Sequence, residues 1–525
     1  MTERTTERGV TVPKPIITKL REIVGINNVL DEEEELACYT YDATPALPLS
    51  KPDAVVRITR KDQVPEVVRA CYEEGVPITP RGSGTNLSGG TVPVNGGVVL
   101  LMTGIRDIIE LDKENLLAKV QPGLVTAHFH QAVEAEGLFY PPDPATMTIS
   151  TLGGNVGECS GGLRGLKYGV TKDYVMGLEV VLPNGDVVNT GGKTVKNVTG
   201  YDLTKLFTGS EGTLGVFTEI TLKLIPLPPY KHAVLAVYDD LNAAAHAVSA
   251  IIAARVLPAT LEIMDNTTIK AVEAFSAAGL PTDAGAVLLI ELDGVREAVE
   301  NDARIVEKVC RDEGARSVQA ASSAAERDRL WAARRTALSA LARVKPYVFL
   351  EDATVPRSKV ADMVRAVEEI ATRYDVLIGT FGHAGDGNLH PTLITDRRNA
   401  DEQRRADLAI GEIFSAALNL GGTLSGEHGI GLAKARYLPW EAKAEGMELM
   451  RRIKGAIDPK GLMNPGKMFV YRPHDTAAAG VSAAGVGAAA GAGAGAAAAK
   501  GGKARNQGRA SGSWLNPPGS SGEQD

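Results

Sequence analysis

The chain has 525 residues, of which 44% are hydrophobic and 23% charged, and its formal net charge at pH 7 is −8. This length is sufficient for two or three globular domains, each with its own core. The acidic balance argues against a general nucleic-acid binder, because such proteins concentrate positive charge on one face. The four cysteines are scattered without a C-x-x-C pair, so we expect reduced thiols in the cytoplasm and neither a disulfide framework nor an iron-sulfur cluster.

Neither end of the sequence has the pattern of an export signal or a membrane span. The start of the chain carries charges but no apolar run of signal-peptide length. An uncharged run of alanine and glycine, Ala477 to Ala499, is long enough to span a bilayer, yet it lacks the hydrophobicity and aromatic anchors that insertion requires. We therefore predict a disordered Ala/Gly-rich tail over residues 474–525 and no transmembrane segment.

The first predicted element is an amphipathic helix over Pro15–Leu30, and the acidic run Asp31–Glu35 after it is typical of a solvated helix start. From Pro52 onward, strand and helix patterns alternate, as in an α+β or α/β domain. The predicted elements there are a strand at Ala54–Ile58, a helix at Gln63–Glu74 and a second strand at Pro77–Thr79.

A glycine-rich loop, Pro80–Gly90, follows the second of these strands. Glycine tolerates positive φ and lets main-chain N–H groups approach an anion. The loop matches neither G-x-x-x-x-G-K-[ST] nor G-x-G-x-x-G, so by itself it is weak evidence and could be an ordinary turn. Two further glycine-rich segments, Pro141–Gly169 and Leu206–Leu224, lie between predicted strands. Together the three segments indicate a backbone wrapped around one extended ligand, such as a dinucleotide.

The proline-rich stretch Pro226–Pro229 predicts a domain boundary, because prolines end strands and helices alike. Beyond it, apolar periodicity again predicts alternating strands and helices. These elements are strands at His232–Tyr238 and Ala286–Leu292 and helices at Leu241–Arg255 and Arg296–Glu313.

Two motifs in the carboxyl-terminal half predict a metal site. They are G-H-A-G-D-G-N-L-H-P (Gly382–Pro391) and S-G-E-H-G-I-G (Ser425–Gly431). His383 and His390 of the first motif, with Glu427 of the second, form the two-histidine, one-carboxylate set that leaves coordination positions open for a substrate. A single histidine near a turn is more often a surface or hydrogen-bonded residue, so the prediction depends on the pairing.

The spacing predicts how the two histidines meet. If Asp386-Gly387 forms a two-residue hairpin turn, His383 stands opposite His390, and both imidazoles leave the same face of the ribbon. Glu427 and His428 are consecutive and would face opposite sides of a regular strand. Because glycines flank them, we expect a tight bend that brings both into one pocket.

In combination, these motifs resemble the flavoproteins related to vanillyl-alcohol oxidase and MurB, whose FAD-binding domain is called PCMH-type. The resemblance is to the branch that contains the FAD-linked chain of glycolate oxidase, D-lactate dehydrogenase and D-2-hydroxyglutarate dehydrogenase, and it spans about residues 15–470. The block Ile457–Phe469 is similar to the closing segment of that family. The residues that match flavin-contacting positions of the family are Arg81, Gly82, Ser83, Gly84, Thr85, Asn86, Ser88, Pro142, Thr151, Gly153, Gly154, Asn155, Gly157, Gly162, Gly212, Gly215, Val216 and Asn464.

The resemblance implies an α+β fold with a two-part FAD-binding PCMH-type domain, a ferredoxin-like cap domain and a C-terminal helical segment. Because the first glycine loop has neither histidine nor cysteine, we expect noncovalent FAD, although Cys159 leaves covalent attachment open. The expected divisions are an N-terminal helical segment at 1–50, the FAD domain at 51–229, the cap with the substrate and metal site at 230–440, a segment returning to the FAD domain at 441–473, and the tail.

The resemblance also implies the chemistry. Residues that match His383, His390 and Glu427 hold the metal, which we expect to be zinc or manganese, and His428 matches the catalytic base. The base takes the hydroxyl proton of a 2-hydroxy acid while hydride passes to the flavin.

Two further polar residues are expected to contact the substrate. Arg334 matches the arginine that binds the substrate carboxylate, with its neighbour Arg335 as the competing assignment and a surface position as the alternative. Asn388 is expected to hydrogen-bond the substrate, and the alternative is that it stabilises the turn.

The expected substrate is a short monocarboxylate, glycolate or D-lactate. Where 2-hydroxyglutarate-specific members carry a lysine, the predicted strand Tyr347–Pro356 has Leu350, although Lys345 remains a candidate for that role. The resemblance implies that electrons pass to separate flavin-like and iron-sulfur subunits, in a complex peripheral to the inner membrane face, and a homodimer is a further expectation. The alternatives are a metal-dependent hydrolase and a non-catalytic flavin-binding subunit.

Overall fold

The computed structural model describes residues 14–45 and 47–469. The predicted tail and the start of the chain lie outside the described residues. The strands are β1 Val29–Leu30, β2 Ala54–Arg57, β3 Ile78–Arg81, β4 Val98–Leu101, β5 Ile108–Asp112, β6 Leu117–Val120, β7 Leu138–Phe139, β8 Val175–Val181, β9 Val187–Gly191, β10 Val216–Lys223, β11 Ile225–Pro226, β12 Tyr230–Tyr238, β13 Thr260–Asp265, β14 Ala286–Gly294, β15 Ser317–Ala320, β16 Tyr347–Leu350, β17 Ala353–Thr354, β18 Leu377–His383 and β19 Asn388–Thr395.

Helices cover the sheets that these strands form. Within residues 14–45 and 47–469, every helix is too short or too polar to cross a lipid bilayer. The α-helices are α1 Lys14–Val24, α2 Glu33–Leu36, α3 Gln63–Glu73, α4 Thr126–Glu134, α5 Leu152–Glu158, α6 Gly165–Tyr168, α7 Leu203–Phe207, α8 Leu241–Ala253, α9 Asn266–Ser276, α10 Arg296–Asp312, α11 Ala324–Arg335, α12 Ala337–Leu341, α13 Val360–Tyr374, α14 Ala400–Asn419 and α15 Leu438–Ile457.

The first sheet has the strand order β1-β2-β4-β3, in which β2, β4 and β3 are parallel. Helices α1 and α3 pack on it through fully buried side chains such as Leu20 and Val67. The single helix predicted over Pro15–Leu30 is wrong beyond Val24, because Gly25 adopts a φ of +88° and ends α1. The strand, helix and strand predicted between residues 54 and 79 are confirmed to within two residues.

The second sheet is antiparallel, with the order β5-β6-β10-β8-β9. Its core includes Phe129 of α4 and Leu152 and Val156 of α5, all fully buried against strand residues such as Val120 and Ile220. The second and third glycine-rich segments are joined by main-chain hydrogen bonds, since Glu211 donates its N–H to the Gly157 carbonyl oxygen at 2.8 Å.

The third sheet is antiparallel and has eight strands in the order β15-β12-β14-β13-β18-β19-β16, with β17 also paired to β19. Helices α8, α10, α13 and α14 contribute to the core on one face, and α9, α11 and α12 to the core on the other. Strand β19 is therefore buried along its whole length. The strands and helices predicted between residues 232 and 313 are confirmed to within two residues at each end. The strand predicted over Tyr347–Pro356 is divided into β16 and β17.

The C-terminal helix α15 leads the chain back to the first sheet. Ile78 of β3 donates its N–H to Leu462 at 2.8 Å and accepts from Asn464 at 2.7 Å. The buried Lys454 Nζ donates to the carbonyl oxygens of Thr213 and Met463. The predicted C-terminal helical segment is therefore present. The detailed domain division stays a prediction, and its boundary at residue 440 falls within α15.

Candidate active site

A cavity lies where the glycine-rich loops of the first and second sheets meet. It is a cleft open to solvent, with about 880 Å³ of space between its walls when the solvent at its mouth is included. Most of the residues predicted to contact a flavin line it. These are Arg81, Gly82, Ser83, Gly84, Thr85, Asn86, Thr151, Gly153, Gly154, Asn155, Gly157, Gly212, Gly215 and Val216.

Arg81 shapes the first loop of this cavity. Its Nη1 donates to Thr91 Oγ1 at 3.1 Å, and its guanidinium carbon lies 5.7 Å from the ring centroid of Tyr39. A Cβ at Gly84, whose φ is +70°, would lie 2.3 Å from Arg81 Nη2, so the turn requires glycine. Burial lowers the pKa of Arg81, but an arginine remains charged at neutral pH. A fixed positive charge beside a glycine-rich main chain suits a pyrophosphate.

Four predicted flavin contacts do not line the cavity. Ser88 is fully buried behind it, and Pro142 accepts a hydrogen bond from His130 Nε2 at 2.9 Å. Gly162 packs against the main chain of residue 143. Asn464 Nδ2 donates to the carbonyl oxygens of Gly90 and Glu211, so it holds two walls of the cavity together. These residues therefore support the wall, and their direct contact with a flavin stays a prediction.

Two buried carboxylates in the cavity wall, Glu158 and Glu211, were not predicted from the sequence. Glu158 Oε1 accepts from Ser88 Oγ at 2.9 Å, and the two oxygens of Glu211 accept the N–H groups of Ile430 and Gly431, each at 2.7 Å. Burial, reinforced by the neighbouring Glu211, raises the pKa of Glu158 well above its usual value. An acidic residue inside a glycine-rich motif is the signal that could have found both.

The loop Ser425–Gly431 joins this cavity to the histidines. The hydrogen bonds from Ile430 and Gly431 fasten its end to Glu211 in the cavity wall. Earlier in the same loop, Glu427 meets another cavity segment, since a Cβ at Gly161 would lie 2.7 Å from Glu427 Oε2. The predicted metal ligands and the predicted flavin site are therefore neighbours.

The hairpin that carries the histidines has a different register from the predicted one. His383 pairs with Asn388, and His390 pairs with Phe381, because a four-residue loop, residues 384–387, replaces the two-residue turn. Gly387 has a φ of +90° in this loop. The predicted pairing of His383 with His390 is wrong, but the two are diagonal neighbours on one face, since side chains alternate along a strand.

The three predicted metal ligands converge. Glu427 Oε1 lies 3.1 Å from His383 Nε2 and 3.2 Å from His390 Nε2, and the two ring centroids are 5.0 Å apart. Burial opposes protonation of His383, but Glu262 and Glu427 outweigh it and raise its pKa well above the usual value. Burial likewise opposes ionisation of Glu427, and His383 and His390 outweigh it and lower the pKa of Glu427.

Glu262, which was not predicted from the sequence, fixes the orientation of His383. It is buried on β13, and its Oε1 lies 2.7 Å from His383 Nδ1. If His383 donates from Nδ1, its Nε2 lone pair points toward Glu427. This is the carboxylate-histidine arrangement that orients imidazoles toward metal ions. No local motif marks Glu262, which is separated from His383 by 121 positions.

His428 lies beside the ligands, as the predicted bend requires. Its ring stacks on that of His390 with centroids 5.1 Å apart, and burial lowers its pKa to about 4. The bend is held by Asp352, whose Oδ2 accepts hydrogen bonds from the N–H groups of both Glu427 and His428. Asp352, also not predicted from the sequence, forms with His390 and His428 a second group of three possible ligands.

Arg334, at the end of α11, is buried against strands β13 and β18 of the third sheet. Its Nη2 lies 2.5 Å from Glu262 Oε2, although the alignment is not that of a hydrogen bond, and its guanidinium carbon lies 4.7 Å from the Phe381 ring centroid. Arg334 Nε and Nη2 have no hydrogen-bond partner among the described residues. Arg335 instead pairs with Asp143 at 2.8 Å. Of the two arginines, Arg334 therefore lies closer to the histidine cluster through Glu262.

Asn388, Leu350 and Lys345 have distinct surroundings. Asn388 Oδ1 accepts a hydrogen bond from Thr354 Oγ1 at 2.9 Å, a contact between β19 and β17, and its role toward the substrate stays a prediction. Leu350 pairs with Thr392, so it shares the sheet face of His390. Lys345 Nζ is paired with Glu402 at 2.6 Å and is half-exposed.

Comparisons with known proteins agree with this arrangement. Residues 52–191 match a family described as FAD binding domain, and residues 227–468 match FAD linked oxidases, C-terminal domain. Glycolate oxidase subunit GlcD of Bacillus subtilis is 54% identical, covering 87% of this chain and 97% of that protein. D-lactate dehydrogenase of Anaerostipes hadrus is 34% identical, covering 87% and 98%.

Solved structures share the fold. p-Cresol methylhydroxylase with substrate bound superposes with a TM-score of 0.71 at 21% identity, covering 87% of this chain and 96% of that chain. Alkyldihydroxyacetonephosphate synthase gives a TM-score of 0.69 at 18% identity, covering 88% and 87%. The predicted α+β fold with a PCMH-type FAD-binding domain is confirmed.

The residues present fit both groups that the fold suggests. The glycine-lined cavity with Arg81 suits FAD, and Gly82 shows how closely its walls approach, since a Cβ there would lie 2.3 Å from Thr151 Oγ1. For a divalent cation, His383, His390 and Glu427 offer one donor atom each within 4.8 Å of one another. Two imidazoles and a carboxylate are a donor set that zinc and manganese accept.

Proposed function

The chain belongs to the family of FAD-linked oxidases and is an FAD-dependent oxidoreductase, and from this premise we propose that it oxidises a small D-2-hydroxy acid, glycolate or D-lactate, to the 2-oxo acid with the help of a divalent cation. The family favours an oxidoreductase over the two alternative functions, a metal-dependent hydrolase and a non-catalytic flavin-binding subunit. The relatives named glycolate oxidase subunit and D-lactate dehydrogenase support the substrate class.

One observation carries the proposal. Glu427 Oε1 lies within 3.2 Å of the Nε2 atoms of both His383 and His390, and Gly161 of the flavin-cavity loop packs against the same carboxylate. A substrate held at this cluster would therefore meet the cofactor cavity directly. When bound, FAD accepts a hydride and a divalent cation polarises a hydroxyl oxygen.

The side chains around the cluster have separable tasks in this proposal. His428 is uncharged near neutral pH, because burial lowers its pKa to about 4, and its lone pair can accept the hydroxyl proton of the substrate. Arg334 would bind the substrate carboxylate through its guanidinium, whose Nε has no hydrogen-bond partner among the described residues and whose Nη2 is paired with Glu262. Glu262 would fix the positions of Arg334 and His383 relative to each other, since its carboxylate contacts both side chains.

The surroundings favour a monocarboxylate. Leu350 presents an apolar side chain on the face of His390, and the nearby cation Lys345 is engaged by Glu402. A second carboxylate at that edge would lose hydration without gaining a partner.

Electrons must leave the reduced cofactor, and we propose that a partner subunit accepts them, because the relative that is 54% identical is named as a glycolate oxidase subunit. Several expectations stay predictions: a flavin-like and an iron-sulfur partner subunit, a peripheral position at the inner membrane face, noncovalent FAD and a homodimer. Copurification of partner proteins with the full-length chain would test the two expected subunits.

The experiment that tests the proposed function combines three measurements on the purified chain. We expect bound flavin from the absorbance spectrum, a bound divalent metal from elemental analysis, and dye-coupled oxidation of glycolate or D-lactate with much less turnover of 2-hydroxyglutarate. Chelation should abolish turnover while flavin is retained. Full turnover of metal-free protein, or a preference for the dicarboxylate, would contradict the proposal.

A further inference from the structure

We propose that Asp352 is a positioning residue that sets both the metal ligand His390 and the proton acceptor His428, an inference that rests on the proposed function. One oxygen of its carboxylate shapes the loop that presents Glu427 and His428, and the carboxylate as a whole faces the two imidazoles. Asp352 is fully buried, so this charge has been placed in the protein interior at a considerable cost in hydration.

Four donors surround one oxygen of this carboxylate. Asp352 Oδ2 accepts hydrogen bonds from Ser425 Oγ and from the N–H groups of Gly426, Glu427 and His428, at 2.8 to 3.1 Å. Consecutive N–H groups that converge on one oxygen form an anion-binding nest. The loop therefore takes its shape from a carboxylate 73 to 76 positions earlier in the chain.

The register of the third sheet places Asp352 beside His390. Leu350 pairs with Thr392 and Ala353 with Leu389, so the same antiparallel alignment sets Asp352 opposite His390 and on the same face. Asp352 Oδ1 lies 3.8 Å from His390 Nδ1, and Oδ2 lies 3.9 Å from His428 Nδ1. These distances are longer than hydrogen bonds, but both pairs of groups face each other.

Three of the four atoms that face each other between Asp352 and the two histidines form no hydrogen bond with any described residue. Within the described part of the chain, Asp352 Oδ1, His390 Nδ1 and His428 Nδ1 are all buried without a hydrogen-bond partner. Buried polar atoms of native proteins are nearly always paired, so a small movement or a bridging water would join them. A proton held on His390 Nδ1 by Asp352 leaves its Nε2 free toward Glu427, which is the role that Glu262 has for His383.

The surroundings of Oδ2 distinguish a supporting role from a ligand role. Besides its four hydrogen-bond donors, Oδ2 has Lys434 Nζ at 3.7 Å, and this ammonium argues against a second metal ion at Asp352, His390 and His428. Asp352 is therefore a support for the imidazoles and not a ligand.

The test compares Asp352→Asn with Asp265→Asn in the holoenzyme. Asp265 is a partly buried carboxylate of the same sheet that also accepts two main-chain N–H groups, but these come from Thr268 of α9 and Thr380 of β18 and not from the loop that carries His428. Each variant removes an acceptor of main-chain hydrogen bonds, so both should lower Tm. Only Asp352→Asn should lower the affinity for zinc in equilibrium dialysis, by on the order of 10- to 100-fold. At saturating metal its kcat should fall roughly tenfold or more, with KM changed far less.

Ser425→Ala keeps the proposal testable if Asp352→Asn does not fold. It removes one donor to Oδ2 and leaves the charge, so we expect a weaker effect in the same direction on zinc affinity. The proposal is overturned if zinc affinity and kcat of Asp352→Asn match the wild type, or if Asp265→Asn loses both equally. Should the wild type itself bind no metal and oxidise no hydroxy acid, the proposed function fails, whereas an active wild type with an unaffected Asp352→Asn rejects this inference alone.

Discussion

Glu262 Oε1 lies 2.7 Å from His383 Nδ1, so a carboxylate of strand β13 determines which nitrogen of His383 faces Glu427. The same carboxylate contacts Arg334 through its other oxygen. One buried acid thus connects a candidate metal ligand with a candidate substrate-binding arginine.

We expect Glu262→Gln to weaken zinc binding on the order of 10- to 100-fold, because an amide can turn its NH2 toward Nδ1 and no longer favours the required tautomer. Equilibrium dialysis against zinc measures this, and flavin content should be unchanged. Glu291→Gln is the matched control, since Glu291 is a buried carboxylate on the neighbouring strand. Equal zinc affinity in the two variants would argue against the role of Glu262.

His428→Ala should lower kcat on the order of a hundredfold or more if proton abstraction limits the rate, while the metal and FAD stay bound. Dye-coupled turnover and metal analysis of the same sample separate these effects. His128→Ala, which changes an exposed histidine of α4, should behave like the wild type. Near-normal turnover of His428→Ala would reject His428 as the proton acceptor.

Gly161→Ala should disturb the site without replacing any polar side chain. Its Cβ would lie 2.7 Å from Glu427 Oε2 and 3.1 Å from Glu427 Cβ, so Glu427 must shift from the position in which it contacts the two histidines. We expect at least a tenfold loss of zinc affinity, of the size seen when ligand support is removed. Gly446→Ala in α15 meets only an ordinary contact at 3.5 Å and serves as the control. If the two variants bind zinc alike, the close packing of Gly161 on Glu427 is not required.

Asp143 should make stability depend on pH. Burial would raise its pKa, but Arg164 and Arg335 outweigh burial and lower it below the usual 3.8. Because the folded-state pKa is depressed, the stabilisation is present above the unfolded-state pKa and is lost as pH falls through the folded-state pKa. Asp143→Asn should therefore lower Tm at pH 7 by the equivalent of about 1–3 kcal/mol, and the difference should shrink below about pH 4.

The control for Asp143 is Asp62→Asn, which changes an exposed ion pair with Arg60. Surface pairs contribute little to stability, so its Tm should match that of the wild type at every pH. A Tm difference for Asp143→Asn that stays constant from pH 7 to acidic pH would refute the proposed linkage.

The sequence predicted the elements and the ligand set because both follow from local patterns. Apolar runs identified the strands at His232–Tyr238 and Ala286–Leu292, and two histidines on one hairpin identified the candidate ligands. The register of that hairpin was predicted wrongly because the sequence A-G-D-G allows more than one turn. The loop observed in the structure places Gly385 against Leu166 and Leu261. Both leucines are distant in sequence, so the residues around the hairpin do not reveal these contacts.

The supporting carboxylates could not be predicted for a different reason. Glu262 and Asp352 have ordinary neighbours in sequence and acquire their roles from strand pairing with β18 and β19. The end of α1 at Val24 was missed for a local reason, since glycine at position 25 is permitted within a helix and only its φ of +88° excludes continuation.

The loop Ser425–Gly431 is fastened from two directions, by Asp352 of the third sheet and by Glu211 of the flavin-cavity wall. Neither half of the protein alone supplies both anchors. A chimaera that takes the part beyond Pro226–Pro229 from another relative would therefore need Glu211 from one parent and Asp352 from the other in compatible positions. If the chain were cut there, the fragment that carries Glu427 would lack the hydrogen bonds that join its loop to Glu211. Recombination of such parts is therefore constrained by the loop that both of them anchor.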